Sequence, residues 1–386
     1  MALRRSLTLR RHIALAATCV GSLASPARAQ PAPRPQGARP VLVVTTDAQG
    51  NGQQLQRLPA PDAAPLGGRP LALRGVDHAY ALINTTAELS PDGTLLAFER
   101  GGRPFIRHLP SGVELALVRG RIRDVDCRFV GFAPDSRRLA YTLSETQTME
   151  GPPSIFPIPA GVYVATVQVQ EPAPGARSPR PTLRVVRNTR LQGTDENVSF
   201  WSDDGAALLG RAQGTQYTEA LRRTPVDGGP ATTLHTVRSH LGMIQLHTRG
   251  DRAVFQYRAL DAHNRPTTTS LATLPLTPGA APAEPRALAP IRHNNTGPEL
   301  SPDGSLVAYT DRGPDNALHL FVVPFDGSSA PRALHPCRFN CDARWESPTS
   351  LLLVHGGSLL RLRLDGGAPE TLVPRGVVTV LVGGGP

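Results

Sequence analysis

The sequence contains no lysine; all 41 of its Lys+Arg cations are arginine. They are scattered along the chain rather than gathered into a basic block, so the composition excludes the clustered stripe of charge that a nucleic-acid partner requires. The formal charge of +10 falls to about +5 if the five arginines of the first 29 residues, which contain no acid, are discounted. Aromatic residues make up only 5% of the chain. Cysteine is nearly as scarce, with Cys19, Cys127, Cys337 and Cys341 the only four, too few thiols for a tetrahedral thiolate zinc site once the first is removed. After Gln30 no apolar run approaches the ~20 residues that a membrane-spanning helix needs. Two catalytic signatures are also missing: a Gly-x-Ser-x-Gly nucleophile elbow, which an α/β-hydrolase would carry, and a His-x-x-x-His pair.

What is present begins with an N-terminus of the export type. Arg4, Arg5, Arg10 and Arg11 precede an apolar stretch from Ile13 to Leu23, and Ala27-Arg28-Ala29 supplies the small residues of a cleavage site. Residues 1–29 are read as a signal peptide cleaved after Ala29, and 30–40 as a proline-rich leader. The paired arginines lack the full twin-arginine surroundings, and Cys19 lacks a lipobox leucine. Location in the periplasm or outside the cell follows, with a body that is not transmembrane. Of the three remaining cysteines, Cys337 and Cys341 are close enough to pair locally, while Cys127 and Cys341 sit at matching places ahead of their repeats.

The body is built from copies. Glu-Leu-Ser-Pro-Asp-Gly-Thr-Leu-Leu-Ala-Phe-Glu at 88–99 returns at 299–310 as Glu-Leu-Ser-Pro-Asp-Gly-Ser-Leu-Val-Ala-Tyr-Thr, and four weaker copies lead into Arg138, Ala207, Ala253 and Leu351. Proline presets φ, aspartate bonds its own backbone and glycine accepts positive φ, so each copy is a tight turn joining two strands. A second turn recurs later in the unit, as Asp326-Gly327, Asp365-Gly366 and Asp227-Gly228, and Asp-Gly between alternating strands marks a hairpin. A β-sandwich also has short strands and turns, but it does not repeat two different turns in one order. The expected fold is all-β: a single β-propeller domain over 41–386, six- to seven-bladed with four-stranded blades. Val41–Asp47, Gln53–Leu58 and Val377–Val382 are orphan strands at opposite ends of the chain, expected to meet and close the ring.

The stretch 299–312, together with Leu-Phe-Val-Val-Pro-Phe-Asp-Gly at 320–327, resembles the repeat of the TolB-type, WD-like propeller family. The resemblance runs from about Asp77 to the C-terminus and implies the fold more than any activity, since similar blades occur in periplasmic TolB, prolyl oligopeptidase-like enzymes and oligogalacturonate lyases. TolB itself has an additional α/β domain ahead of its propeller, for which the leader here has no room.

Ligands of propellers meet the axial channel and the loops between blades. Those loops carry His78, Asp126, Asp195, Glu196, His240, His293 and Asn294, which form the candidate binding face. No catalytic residue, resident metal or cofactor is assigned, and an enzyme is the less favoured reading. The expected function is that of an exported, monomeric scaffold binding a protein or cell-envelope component. The alternative is a metal-dependent polysaccharide lyase or hydrolase built on His78, His240 and His293, since three imidazoles with oxygen ligands suit a transition metal. Trp201 and Trp345 take the place of Leu89 and Leu300 before the turn and are read as packing residues.

Overall fold

A computed structural model describes residues 39–46, 53–58, 71–72, 87–100, 103–118, 125–145, 161–172, 181–191, 198–214, 217–240, 242–276, 284–292, 297–337 and 341–383. These residues form 28 strands in seven four-stranded antiparallel sheets, with no helix among them. The architecture is a seven-bladed β-propeller. Blade 1 is made from both ends of the chain: β1 (Val41–Thr46), β2 (Gln53–Leu58) and β3 (Leu71–Ala72) receive β28 (Val377–Val382) as their innermost strand. The register runs from Val41 opposite Val382 to Thr45 opposite Val377. The first hairpin thus supplies the two middle strands of its blade, with β3 outside it.

The other blades are consecutive. Blade 2 runs from β4 (Ala87–Leu89) to β7 (Glu114–Ala116), blade 3 from β8 (Val125–Phe132) to β11 (Thr182–Arg190), and blade 4 from β12 (Val198–Trp201) to β15 (Thr232–Arg238). Blade 5 runs from β16 (Ile244–Arg249) to β19 (Arg286–Pro290), blade 6 from β20 (Glu299–Leu300) to β23 (Arg332–Cys337), and blade 7 from β24 (Asp342–Ser347) to β27 (Glu370–Val373). In each of these the first strand in sequence is innermost. Antiparallel order therefore puts both recurring turns on one face of the ring and the blade-to-blade loops on the other.

The Ser-Pro-Asp-Gly turn forms for the reasons its residues suggest. In blade 6, Ser301 Oγ donates to Asp303 Oδ1 (2.6 Å) and accepts from Leu306 N (2.9 Å), while Gly304 N donates to Ser301 O (2.8 Å). Blade 2 repeats this atom for atom: Ser90 Oγ donates to Asp92 Oδ1 (2.6 Å) and accepts from Leu95 N (2.9 Å), and Gly93 N donates to Ser90 O (2.8 Å). Gly304 and Gly93 hold φ of 68° and 70°, the left-handed region where a Cβ is strained. Blade 7 replaces the serine with Glu346, 1% exposed at its side chain, and needs a cation to hold it: Arg361 Nε and Nη2 each donate to the carboxylate at 2.7 Å, and Ser350 Oγ adds a third bond at 3.0 Å.

Blades pack face to face through apolar side chains with almost no exposure, among them Leu96, Phe98, Tyr141, Phe255 and Leu353. The two tryptophans are indeed packing residues, and they also stitch adjacent blades. Trp345 Nε1–H donates to Glu299 O of blade 6 at 3.1 Å, and Trp201 Nε1–H donates to Gly131 O of blade 3 at 2.8 Å. Cys337 and Cys341 are joined by a disulfide, their Cα atoms 5.9 Å apart, across the connection from blade 6 to blade 7. Cys127 keeps its thiol buried outside that bridge. No helix of the described residues is long and apolar enough to cross a membrane.

Candidate functional site

One register position recurs on all seven inner strands, the residue just before the packing residue that precedes the turn. It is occupied by Leu381, Glu88, Gly131, Phe200, His247, Glu299 and Arg344 in blades 1 to 7. A radial sheet brings this position towards the axis, and the neighbours touch. The Phe200 and His247 rings meet edge to face at 5.4 Å, and a Cβ built on Gly131 would stand 3.8 Å from Glu88 Oε2. Glycine in blade 3 (φ 118°) thus leaves room beside the Glu88 carboxylate.

Four of the seven ring residues are ionisable, and two further arginines join them. Arg249 lies two residues beyond His247 on the same side of β16, and Arg39 enters from the turn face, immediately before β1. Burial raises the Glu88 carboxyl to about 7, with Arg344 pulling the other way. The same burial lifts Glu299, against the opposing pull of Arg344, Arg39 and Arg249. His247 is driven well below its ordinary value by burial and then by Arg249, Arg344 and Arg39, so it is neutral. Its Nδ1 accepts the Leu300 N–H at 3.2 Å, which leaves the ring proton on Nε2. Burial lowers Arg39 to about 10, with Arg249 adding to the effect, and lowers Arg249 as well. Only Arg344 is raised, by Asp342 first, and its Nη2 lies 3.4 Å from Asp342 Oδ1.

These groups are enclosed by protein but not dry. Arg344 keeps 47% of its side-chain surface accessible to solvent. Towards the loop face the channel opens into a crevice of about 300 Å³ between the inner ends of blades 5, 6 and 7, lined in part by Gln245, His247, Glu299, Asp342 and Arg344. Within it, Gln245 Oε1 and Glu299 Oε2 are enclosed and have no hydrogen-bond partner, and beyond Glu299 the same is true of Arg249 Nε and Nη2. Unsatisfied buried polar atoms are uncommon in folded proteins and require an explanation.

Of the seven expected binding-face residues, His78, Asp195, Glu196, His293 and Asn294 lie outside the described residues. Asp126 is the second residue of β8, opposite Ser144. His240 is exposed on the loop from blade 4 to blade 5, where its ring stacks on Tyr217 (6.2 Å, 22°) and its N–H donates to Arg258 O at 3.0 Å. Among the described residues no group of three or more His, Cys, Asp or Glu side chains could hold a metal ion. The sequence reading thus missed the channel residues themselves. The available signal was the glutamate that heads both strong copies of the repeat.

No family model and no curated protein matches the chain. Among solved structures it is similar to a prolyl endopeptidase (TM-score 0.51, 13% identity, covering 89% of this chain and 50% of the other). It is also similar to TolB from Acinetobacter baumannii (TM-score 0.44, 16% identity, 79% and 65%) and to an acylaminoacyl peptidase from Pyrococcus horikoshii (TM-score 0.47, 10% identity, 86% and 50%). The chain therefore spans about half to two thirds of these proteins' lengths, and at such identities the likeness shows the propeller fold alone.

Proposed function

We propose that the protein is an exported TolB-like propeller that acts as a binding scaffold for a protein or cell-envelope partner, engaged through its blade-to-blade loops. The observation that carries this reading is the closed ring itself. Seven sheets fixed against one another hold the loop attachments at set separations, so a partner can gather several weak contacts without having to order a flexible surface. Export is supported by the basic and apolar N-terminus and by the Cys337–Cys341 bridge, since disulfides persist in oxidising compartments. Cleavage after Ala29 and a single folded domain from residue 41 belong to the same proposal.

The test is a photo-crosslinking residue in place of His240 in cells expressing the full chain. A discrete crosslink to one envelope protein, abolished by excess unlabelled protein, together with a secreted or periplasmic chain beginning at Gln30, is the expected result. Retention of the uncleaved chain in the cytoplasm, or the absence of any discrete crosslink, would refute it. Bound metal with depolymerisation of an acidic polysaccharide would replace it with the lyase reading.

A further inference from the structure

We propose that the crevice at the inner ends of blades 5, 6 and 7 binds a small zwitterion of the α-amino acid class, its ammonium received by Gln245 and Glu299 and its carboxylate by Arg344. The volume of about 300 Å³ lies at the small end of ligand pockets, sized for a single compact metabolite. Two residues of the lining carry acceptors, Gln245 Oε1 and Glu299 Oε2, both enclosed and unpartnered. Gln245 holds φ of 50° within an irregularity of the β16–β17 pairing, β17 being Arg252–Leu260. A backbone conformation that glutamine disfavours thus sets the place of its amide at the crevice wall. An ammonium group offers three N–H donors and a charge that a carboxylate prefers over a neutral donor.

The lining also holds a solvent-accessible guanidinium. Arg344 is tied to Asp342 through one nitrogen at 3.4 Å, with 47% of its side chain accessible inside the channel. A planar fork of donors suits a carboxylate. Arg249 and Arg39, both coupled electrostatically to Glu299, add to the positive field of the channel. The neutral His247 on the crevice wall keeps its proton on Nε2 because Nδ1 is occupied by Leu300 N–H.

The balance of charge selects the ligand. A simple cation satisfies Glu299 but is opposed by three guanidiniums. A simple anion satisfies Arg344 but leaves Gln245 Oε1 and Glu299 Oε2 without donors. A molecule carrying both groups answers the acceptors and the guanidinium at once, and this site stands whether or not a protein partner binds the loops above it.

Calorimetric titration of the purified full chain with each proteinogenic L-α-amino acid, using propionate and propylamine as single-ended controls, tests the proposal. The expected result is saturable binding of at least one amino acid, with neither control binding over the same concentration range. Arg344→Gln and Glu299→Gln should each weaken that binding about tenfold or more, while melting as cooperatively as the parent. Absence of binding by every amino acid, propionate binding as tightly as the best amino acid, or parental affinity in either folded variant would overturn it. Should a variant fail to fold, the comparison of amino acids with the two controls on the parent chain decides alone.

Discussion

Replacing Glu88 with glutamine isolates the electrostatic cost of the channel. In the folded protein burial holds the Glu88 carboxyl at about 7, against an ordinary 4.5. Below 4.5 the group is protonated both folded and unfolded and contributes no difference. As the pH rises, the unfolded chain ionises first while the folded protein retains its proton, so stability falls with pH until the folded group ionises near 7. At about 1.4 kcal/mol per pH unit, the interval from 4.5 to about 7 sets a ceiling of about 3.5 kcal/mol. Solvent in the channel lowers the realised figure, while the pull of Arg344 is already contained in the value of about 7. Glu88→Gln has no proton to lose. Scanning calorimetry across pH should therefore find variant and parent equal in acid, with the variant more stable by up to about 5 °C at mildly alkaline pH, taking an unfolding entropy of about 2 cal/mol/K per residue over roughly 350 residues. Glu299 and His247 titrate in both proteins and cancel from the difference. A Tm difference that does not change with pH, or a parent that gains on the variant in alkali, would show that attraction to Arg344 outweighs burial and refute the reasoning.

Three further outcomes follow from the blade contacts. Arg361→Met strips both 2.7 Å bonds from a Glu346 side chain that is 1% exposed; a loss of about 3–5 kcal/mol in denaturant unfolding is expected, and a loss below about 1 kcal/mol would mean that Ser350 alone suffices. Trp345→Phe removes the 3.1 Å bond to Glu299 O across the blade 6–blade 7 boundary and should cost about 1–3 kcal/mol in the same assay; no loss would mean the stitch is dispensable. Truncation after Arg375 deletes β28 and exposes the edge of β1, so size-exclusion chromatography should show self-association and calorimetry a loss of cooperative melting; a monomer that melts as the parent does would refute closure by the two termini.

The turns were legible because their chemistry is local. Ser90, Asp92 and Gly93 bond to one another within six residues, and the same letters at Ser301, Asp303 and Gly304 give the same bonds. Closure was legible for a related reason, since Val377–Val382 lacked a partner in sequence and so did Val41–Thr46. The channel was not legible, because its ring position holds a different residue in every blade except for the two glutamates, and Glu88 and Glu299 look like part of the folding motif they precede. Arg344 sits in a copy where Trp345 replaces leucine and the proline is displaced by one residue, which breaks the alignment by letters. Arg39 is hidden most completely: it meets Arg249 and Glu299 only after the ends of the chain have come together.

The pairing of β28 with β1 also sets a clock on the molecule. Among the described strands β28 is made after all the others and completes the first blade, so the ring cannot lock until Val377–Val382 has been synthesised. A nascent propeller of this design stays open-ended until that strand is made, with the Val41–Thr46 edge awaiting Val377–Val382. Synthesis adds roughly 5–20 residues per second. For many seconds the ring is therefore unclosed, and the channel cluster, which draws Arg39 from just ahead of β1 and Arg344 from blade 7, can assemble only once both have been made.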